Sequence, residues 1–473
     1  MAVENSVHNT DLVIKMAKAK KYLPDKKFMR TILAIALPMM IQNTFTNLIG
    51  LVNNITVGRL GTEQLAGVAV ANQLVSIYIM CIWGAMSGAE IFAAQFHGKK
   101  DAENLRNTFR FMVLVGILVG AAAAAIFLTM GEPLVKLYIY SDSEGSDTEV
   151  ALREGTRYLR LLVISFLPLA LNMGYTSILR VNEENKVPMY SSIVGVLSCL
   201  AVNFLLIPRI GILGAALATI TSRVLEALIN ITWCHTHTDR LPFLKGAFST
   251  LRVPGQLAKQ ILFTGLPLTL NETVWQIGVA TITQCYSYRG LSTVAAVNIA
   301  STVQFLTSVS IFALGAAVGV VMGNLLGSGD RQGAEKASRE LLGFSVVVGA
   351  GVAVLLMILC PFVPVLYPNL SAEVHHIAKW LIWGEAFNAI LNSFYNAAYY
   401  IIRSGGKTVT TFLFDSGFIW GVSVVAAVII AYFTTIPIIP FYWIEKVLDI
   451  LKCIIIYILV KKGSWIQILS GAE

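Results

Sequence analysis

Residues 265–288 read GLPLTLNETVWQIGVATITQCYSY and are mostly apolar over slightly more than the roughly 20 residues that a membrane-spanning helix needs. The run nevertheless contains a carboxylate, Glu272, well inside the apolar stretch. A charge at the centre of a membrane helix costs about 2.5–3.5 kcal/mol on insertion scales, which is why intramembrane charges mark functional sites. Gln276 and Thr283 fall on the same helical face as Glu272. The stretch therefore predicts a membrane helix with one polar stripe and one ionisable group.

A second copy of this pattern lies earlier in the chain, at an offset of 229 residues that carries Pro38 onto Pro267. The polar stripe recurs at this offset, as Asn43, Asn47 and Asn54 in the first copy and as Glu272, Gln276 and Thr283 in the second. The loop GKKD at 98–101 likewise aligns with GSGD at 327–330 without a gap. Because an even number of spans separates the copies, both run the same way through the membrane. Parallel repeats predict a pseudo-twofold axis along the membrane normal and a substrate site between the halves.

The composition is that of a polytopic α-helical membrane protein. Hydrophobic residues make up 56% of the 473 residues and charged residues only 13%, whereas soluble domains average about 25% charged residues. The net charge of +8 comes from short loops between apolar runs, which is a topology signal and not a nucleic-acid footprint. Twelve spans are predicted, at 29–57, 67–94, 107–130, 155–179, 188–208, 212–235, 260–288, 294–324, 340–362, 376–402, 408–432 and 437–460.

The basic loops set the predicted orientation. Lys and Arg cluster before span one and in the loops that follow spans two, six, eight and ten, while the loop after span three is acidic. Both termini are therefore predicted to be cytoplasmic, in a multi-pass protein of the plasma or inner membrane. The predicted organisation is a cytoplasmic N-terminal segment (1–28), an N-lobe with spans one to six (29–236), a cytoplasmic linker (237–256), a C-lobe with spans seven to twelve (257–461) and a cytoplasmic tail (462–473).

Glu272 and Asp415 are the predicted coupling carboxylates. Neither has a Lys or Arg at helical spacing on its own span, so each is interpreted as an unpaired acid that exchanges protons or cations near neutral pH. By contrast, Arg223 and Glu226 are three residues apart and are predicted to form a structural ion pair. A self-satisfied charge cluster is predicted on span twelve, consisting of Glu445, Lys446, Asp449 and Lys452.

A polar face on span ten adds candidate cavity residues. Glu385 is followed by Asn388, Asn392 and Asn396, at spacings that place all four on one helical face. Interhelical hydrogen bonding, worth roughly 0.6 kcal/mol per bond in a membrane, is the alternative role for the asparagines. The candidate cavity-lining residues are Asn43, Asn47, Asn53, Asn54, Trp275, Gln276, Glu385, Asn388 and Asn392.

The expected energy source is an ion gradient, because the sequence contains no P-loop and no clustered His or Asp of a membrane enzyme. We expect no enzymatic activity, no cofactor, no nucleic-acid partner and no metal beyond a Na⁺ ion near Glu272. The expected coupling ion is H⁺ or Na⁺, and the sequence does not distinguish between the two. The expected partners are a small organic substrate and membrane lipids, and the expected assembly is a monomer.

Five motifs in the two halves carry a family resemblance. They are VGRLGTEQLAGVAVANQ (57–73), SGAEIFAAQFHGKKD (87–101), GILGAALAT (211–219), GLPLTLNETVW (265–275) and VMGNLLGSGDRQGA (321–334). In this order they resemble the multidrug and toxic compound extrusion (MATE) family of cation-coupled antiporters, over about residues 29–468. The resemblance implies twelve helices in two six-helix bundles that rock between inward-open and outward-open states. It also implies export of amphipathic, often cationic organic compounds in exchange for H⁺ or Na⁺.

The first span departs from the family pattern. Many family members carry an Asp four residues before the Val-Gly that precedes the first external loop, and Asn53 occupies that position here. The resemblance therefore favours Glu272 as the coupling residue, with Asp415 as its companion. Cation binding at Glu272 would then weaken the hold on a positively charged substrate and bias the two-state equilibrium.

Two other functions compete with antiport. A flippase for a lipid-linked precursor, from the same superfamily, is expected to have a strongly cationic central cavity, and few midspan basic residues besides Arg223 are present. A passive channel is expected to show pore-lining repeats around a symmetric axis, and two halves with one acid each do not fit that pattern.

Overall fold

The computed structural model describes residues 25–58, 62–139, 146–362 and 371–469, and all regular secondary structure in these ranges is helical. The helices are α1 (Lys26–Gly58), α2 (Thr62–Lys99), α3 (Ala102–Ile139), α4 (Ser146–Leu162), α5 (Phe166–Val181), α6 (Lys186–Ile210), α7 (Ile212–Thr236), α8 (Gly255–Ser287), α9 (Leu291–Gly327), α10 (Arg331–Leu359), α11 (Ala372–Ser404), α12 (Thr408–Phe418), α13 (Val424–Phe433) and α14 (Ile438–Lys461).

Each of the twelve predicted spans corresponds to one described helix or to one joined pair. Span four is α4 and α5, joined by the 3₁₀ turn Val163–Ser165, and span eleven is α12 and α13, joined by the π-helical turn Ile419–Ser423. Eight helical stretches in the described ranges are long and apolar enough, by composition alone, to cross a membrane. α14 is more polar because five charged side chains lie within it, and two of them, Lys446 and Lys452, take part in the site described below.

The chain forms two compact units. Among the described residues, one comprises Pro38–Thr269, and the other comprises 25–37 and 270–469. In the second unit, α8, α11 and α14 meet in one apolar core, in which the rings of Tyr286 and Phe441 pack edge to face with their centroids 5.0 Å apart. This core contains residues of α8, α11 and α14, which carry Glu272, Glu385 and Lys452.

Glycines allow close helix contact in the first unit. A Cβ atom on Gly67 of α2 would lie 2.5 Å from the carbonyl oxygen of Ala151 and 2.9 Å from the backbone nitrogen of Gly155 on α4. The reciprocal Cβ on Gly155 would lie 2.8 Å from the carbonyl oxygen of Gly67. Helix association in a membrane depends on van der Waals packing rather than on the hydrophobic effect, so small residues at such a crossing are part of the fold.

The two halves use equivalent residues to begin their third helices. The Oδ1 atom of Asp101 accepts a hydrogen bond from the backbone N–H of Asn104 at 3.0 Å, and the Oδ1 atom of Asp330 accepts one from Gly333 at 2.8 Å. These two aspartates are 229 residues apart, the offset of the sequence repeat. The repeat in sequence is thus a repeat in local structure.

Removing either cap is expected to destabilise the protein by a similar amount. Asp101→Ala and Asp330→Ala should each lower the free energy of unfolding by about 1 kcal/mol, since each leaves helical N–H groups without an acceptor. Unfolding in mixed micelles measures the change. Asp239→Ala is the control, because Asp239 pairs with Lys245 on the exposed surface, where an ion pair contributes about 0–1 kcal/mol. Losses at both caps no larger than the control's would contradict the assignment.

Candidate functional site

Hydrogen bonds join the α8 region to span eleven at two positions. The indole N–H of Trp420, in the π-helical turn, donates to the carbonyl oxygen of Val274 at 3.0 Å. Past the end of α8, the guanidinium of Arg289 donates to the carbonyl oxygens of Ile430 at 2.7 Å and Ile436 at 2.8 Å. Single-turn π segments within helices are frequent at functional sites, and this one directly follows the helix that carries Asp415. The stretch of α8 around Glu272 is therefore held beside α12.

Asp415 is held by an ion pair and an amide. Its Oδ1 atom lies 2.6 Å from the Nζ atom of Lys452 on α14, and its Oδ2 atom accepts a hydrogen bond from Asn271 at 3.0 Å. The amide oxygen of Asn271 in turn accepts from the hydroxyl of Ser416 at 2.7 Å. The interpretation of Asp415 as an unpaired acid is therefore wrong. Its basic partner comes from another helix, and spacing along a single span cannot reveal such a partner.

Glu272 has a different environment from Asp415. It is half-buried, and within the described residues no basic side chain forms an ion pair with it. Its electrostatic neighbours are the carboxylate of Asp415 and the guanidinium of Arg403, which lies over the ring of Tyr400 at 5.1 Å. Glu272 thus faces one like charge and one opposite charge, and it forms no ion pair with a described residue. This arrangement can bind and release a small cation or a proton.

The polar face of α11 is largely buried. Glu385 is 3% exposed, lies 2.7 Å from the Nζ atom of Lys446 and accepts a hydrogen bond from the hydroxyl of Tyr442. Asn388 is also buried, and Asn392 is half-buried. Glu385 is therefore an ion-paired residue of the core, and its role as a cavity-lining residue stays a prediction.

The remaining predicted cavity residues vary in exposure. Trp275 is half-buried and Gln276 is exposed, both in the second unit on the helix of Glu272. In the first unit, Asn43 is half-buried and Asn47 is exposed. The side chains of Asn53 and Asn54 lie outside the described residues.

Two lysines of α14 form ion pairs with acids on other helices, so the prediction of a self-satisfied cluster is wrong for these lysines. Lys446 pairs with Glu385 on α11 and Lys452 pairs with Asp415 on α12. Sequence reasoning therefore missed Lys452 and Asn271 as parts of the site. The one available signal was that charges within an apolar helix need partners, which does not reveal that these partners lie on other helices.

The first unit has a corresponding arrangement without the acid. Gln42, the equivalent of Asn271 at the repeat offset, accepts a hydrogen bond from Arg180 at 2.7 Å. The next residue, Asn43, is the equivalent of Glu272 and is an uncharged amide. Elsewhere in this unit the predicted ion pair is confirmed, with Arg223 and Glu226 3.1 Å apart.

Comparison with known proteins identifies the family. The sequence model of the MatE family matches residues 38–205 and 267–433, that is, once in each half. The probable multidrug resistance protein YoeA of Bacillus subtilis (strain 168) is 22% identical over 424 residues, covering 86% of this chain and 88% of that protein. The probable multidrug resistance protein NorM of Thermotoga maritima is 24% identical over 328 residues, covering 66% and 67%.

Solved structures confirm the fold class. An outward-facing multidrug resistance MATE family transporter of the MOP superfamily superposes with a TM-score of 0.82 at 21% identity, covering 92% of this chain and 96% of that one. A MATE structure in the bent conformation gives a TM-score of 0.80 at 20% identity, covering 94% and 98%. The predicted all-helical fold of twelve membrane helices and the predicted family are both confirmed. The chain belongs to the MatE family, whose members are membrane transporters and not enzymes.

Proposed function

We propose that the protein exports amphipathic, cationic organic compounds in exchange for H⁺ or Na⁺, with Glu272 as the coupling carboxylate. One observation carries the proposal: Glu272 is half-buried in α8 and no described basic side chain forms an ion pair with it. A carboxylate kept in this state is retained for binding, because packing alone would favour an apolar residue. The names of the relatives, multidrug resistance proteins, support the substrate class.

Competition at Glu272 supplies the coupling. A cationic substrate is attracted by the ionised carboxylate, while a bound proton or Na⁺ cancels that charge. Each ligand therefore lowers the affinity of the protein for the other, and this coupling is reciprocal. Ion entry from outside then favours substrate release, provided that the two ligands prefer different states of the transporter.

Asp415 has a supporting role in this proposal. It is already neutralised by Lys452, and it meets the coupling region through its hydrogen bond with Asn271, the residue before Glu272. Its charge contributes to the electrostatic potential at Glu272, and it does not itself exchange the coupling ion. We further propose that the transporter acts as a monomer in the plasma or inner membrane, with both termini in the cytoplasm.

The flippase alternative has less support. A lipid-linked precursor carries phosphate groups, and its recognition needs cationic side chains that are available to bind them. Three interior basic residues, Arg223, Lys446 and Lys452, are instead each paired with an acidic side chain. Neutralised cations of this kind favour a positively charged cargo over an anionic one.

Transport by the purified protein in liposomes tests the proposal. Efflux of a cationic dye is followed under an imposed pH gradient in one arm and an imposed Na⁺ gradient in the other. We expect accelerated efflux in one arm and background efflux without a gradient, and the responding arm identifies the ion. Equal efflux in all three conditions would exclude ion-coupled export.

A further inference from the structure

Lys452 is buried in the second unit, between an acidic side chain and two aromatic rings. Its side chain is 4% exposed, and its Nζ atom lies 2.6 Å from the Oδ1 atom of Asp415. The ammonium group also lies over two aromatic rings, 4.3 Å from the centroid of Tyr395 and 5.7 Å from that of Phe414. An ammonium group gains cation–π stabilisation from such rings and loses it if it moves away. The lysine is therefore fixed in place as a counter-ion.

The counter-ion decides how many mobile ions this region needs. Asp415 and Glu272 are electrostatic neighbours, and Asn271 connects their surroundings. The other charged or titratable groups around them are Arg403, Glu385, Tyr395, Tyr399 and Tyr400 on α11 and Lys446, Asp449 and Cys453 on α14. With Lys452 bound to Asp415, one carboxylate of the two is left for a mobile ion. Without it, both carboxylates would need one, because neighbouring unpaired charges are disfavoured in low dielectric.

We propose that Lys452 acts as a tethered cation that permanently occupies the ion site of Asp415 and so limits the transporter to one coupling ion per substrate. This inference rests on the proposed function of Glu272 and adds the stoichiometry of that site. It makes Lys452 a positioning residue that sets ion number and does not itself bind substrate. Removing its charge should convert Asp415 into a second exchangeable site.

The equilibrium accumulation of substrate measures the stoichiometry. Liposomes containing the protein are given a tenfold gradient of the responding ion, with the membrane potential held at zero by K⁺ and valinomycin. At equilibrium a one-ion exchanger supports about a tenfold ratio of a radiolabelled organic cation, and a two-ion exchanger about a hundredfold ratio, because each ion contributes one factor of ten. We expect about tenfold for the wild type and for Lys452→Arg, and about a hundredfold for Lys452→Gln.

A rescue experiment separates this role from a structural one. In Asp415→Asn the lysine loses its ion-pair partner, and its uncompensated positive charge should oppose cation binding in this region and abolish ion-driven accumulation. Adding Lys452→Gln to this variant removes the competing charge and should restore the tenfold ratio. If Asp415 exchanged the ion itself, or if Lys452 were needed only for folding, the double variant would remain inactive.

The result that would overturn this inference differs from the result that would overturn the proposed function. A tenfold ratio in folded Lys452→Gln would overturn the inference while leaving coupling at Glu272 intact. Failure of the wild type to accumulate substrate against any ion gradient would instead overturn the proposed function. If Lys452→Gln does not fold, the comparison of Asp415→Asn with the double variant decides, and absence of rescue counts against the tethered cation.

Discussion

Glu272→Gln is expected to abolish ion-driven export while leaving the protein folded. Glutamine has nearly the same shape but cannot ionise, so substrate and coupling ion no longer compete for a charge. The fold should tolerate the change because Glu272 is half-buried and, among the described residues, no ion pair is broken. Allosteric coupling typically amounts to roughly 5–150-fold in affinity, and we expect the variant to lose all of it. Dye efflux from liposomes with and without the ion gradient measures the loss.

The matched control for this variant is Glu335→Gln. Glu335 lies on the exposed face of α10 and contacts Arg339 at 3.7 Å, a surface pair whose loss changes little. It removes the same charge from the same half of the chain, so both variants alter net charge equally. Gradient-driven efflux should be unchanged in the control. Full gradient-driven efflux by Glu272→Gln would show that the coupling group lies elsewhere.

Glu385→Leu is expected to be the most destabilising single change in the second unit. It would leave the ammonium of Lys446 without its partner at 2.7 Å and the hydroxyl of Tyr442 without an acceptor. Removing one member of a buried ion pair costs about 3–5 kcal/mol, because the remaining charge stays buried without compensation. Unfolding in mixed micelles, compared with the wild type, measures this cost.

Two companion variants show whether the cost comes from the orphaned charge. Glu385→Gln keeps an acceptor for both partners and should lose much less stability than Glu385→Leu. The double change Glu385→Leu with Lys446→Met removes both charges and should recover most of the loss, since apolar replacements of buried pairs are often neutral. A double variant as unstable as Glu385→Leu would mean that shape, and not charge, determines the effect.

The membrane helices could be predicted well because their signal is local. A run of apolar residues long enough to cross a bilayer can be recognised from its length and composition alone. The twelve predicted spans all correspond to described helices. The ends were less accurate: α3 begins at Ala102 and continues to Ile139, beyond the predicted span of 107–130. Helices extend past the apolar region into polar surroundings, where hydropathy no longer marks them. The repeat was visible because the offset is constant, and the caps at Asp101 and Asp330 have the same geometry.

The pairing of charges could not be predicted because it joins distant parts of the chain. Lys452 lies on α14 and Asp415 on α12, and only the packing of these helices brings their charged atoms to 2.6 Å. A helical-spacing rule finds partners within one helix, so it found Arg223 with Glu226 and missed the pairs of Lys446 and Lys452. The π-helical turn at Ile419–Ser423 was also missed, since its apolar sequence, IWGVS, does not differ from ordinary helix.

Release of the coupling ion on substrate binding tests the competition at Glu272 most directly. Purified protein in detergent, at low buffer capacity and loaded with the responding ion, is mixed with a cationic substrate while the free ion is followed with an indicator. The wild type should release its ion on binding, and Glu272→Gln should bind substrate without releasing any. Equal release from both proteins, or substrate binding to the wild type with no release, would contradict coupling at this carboxylate.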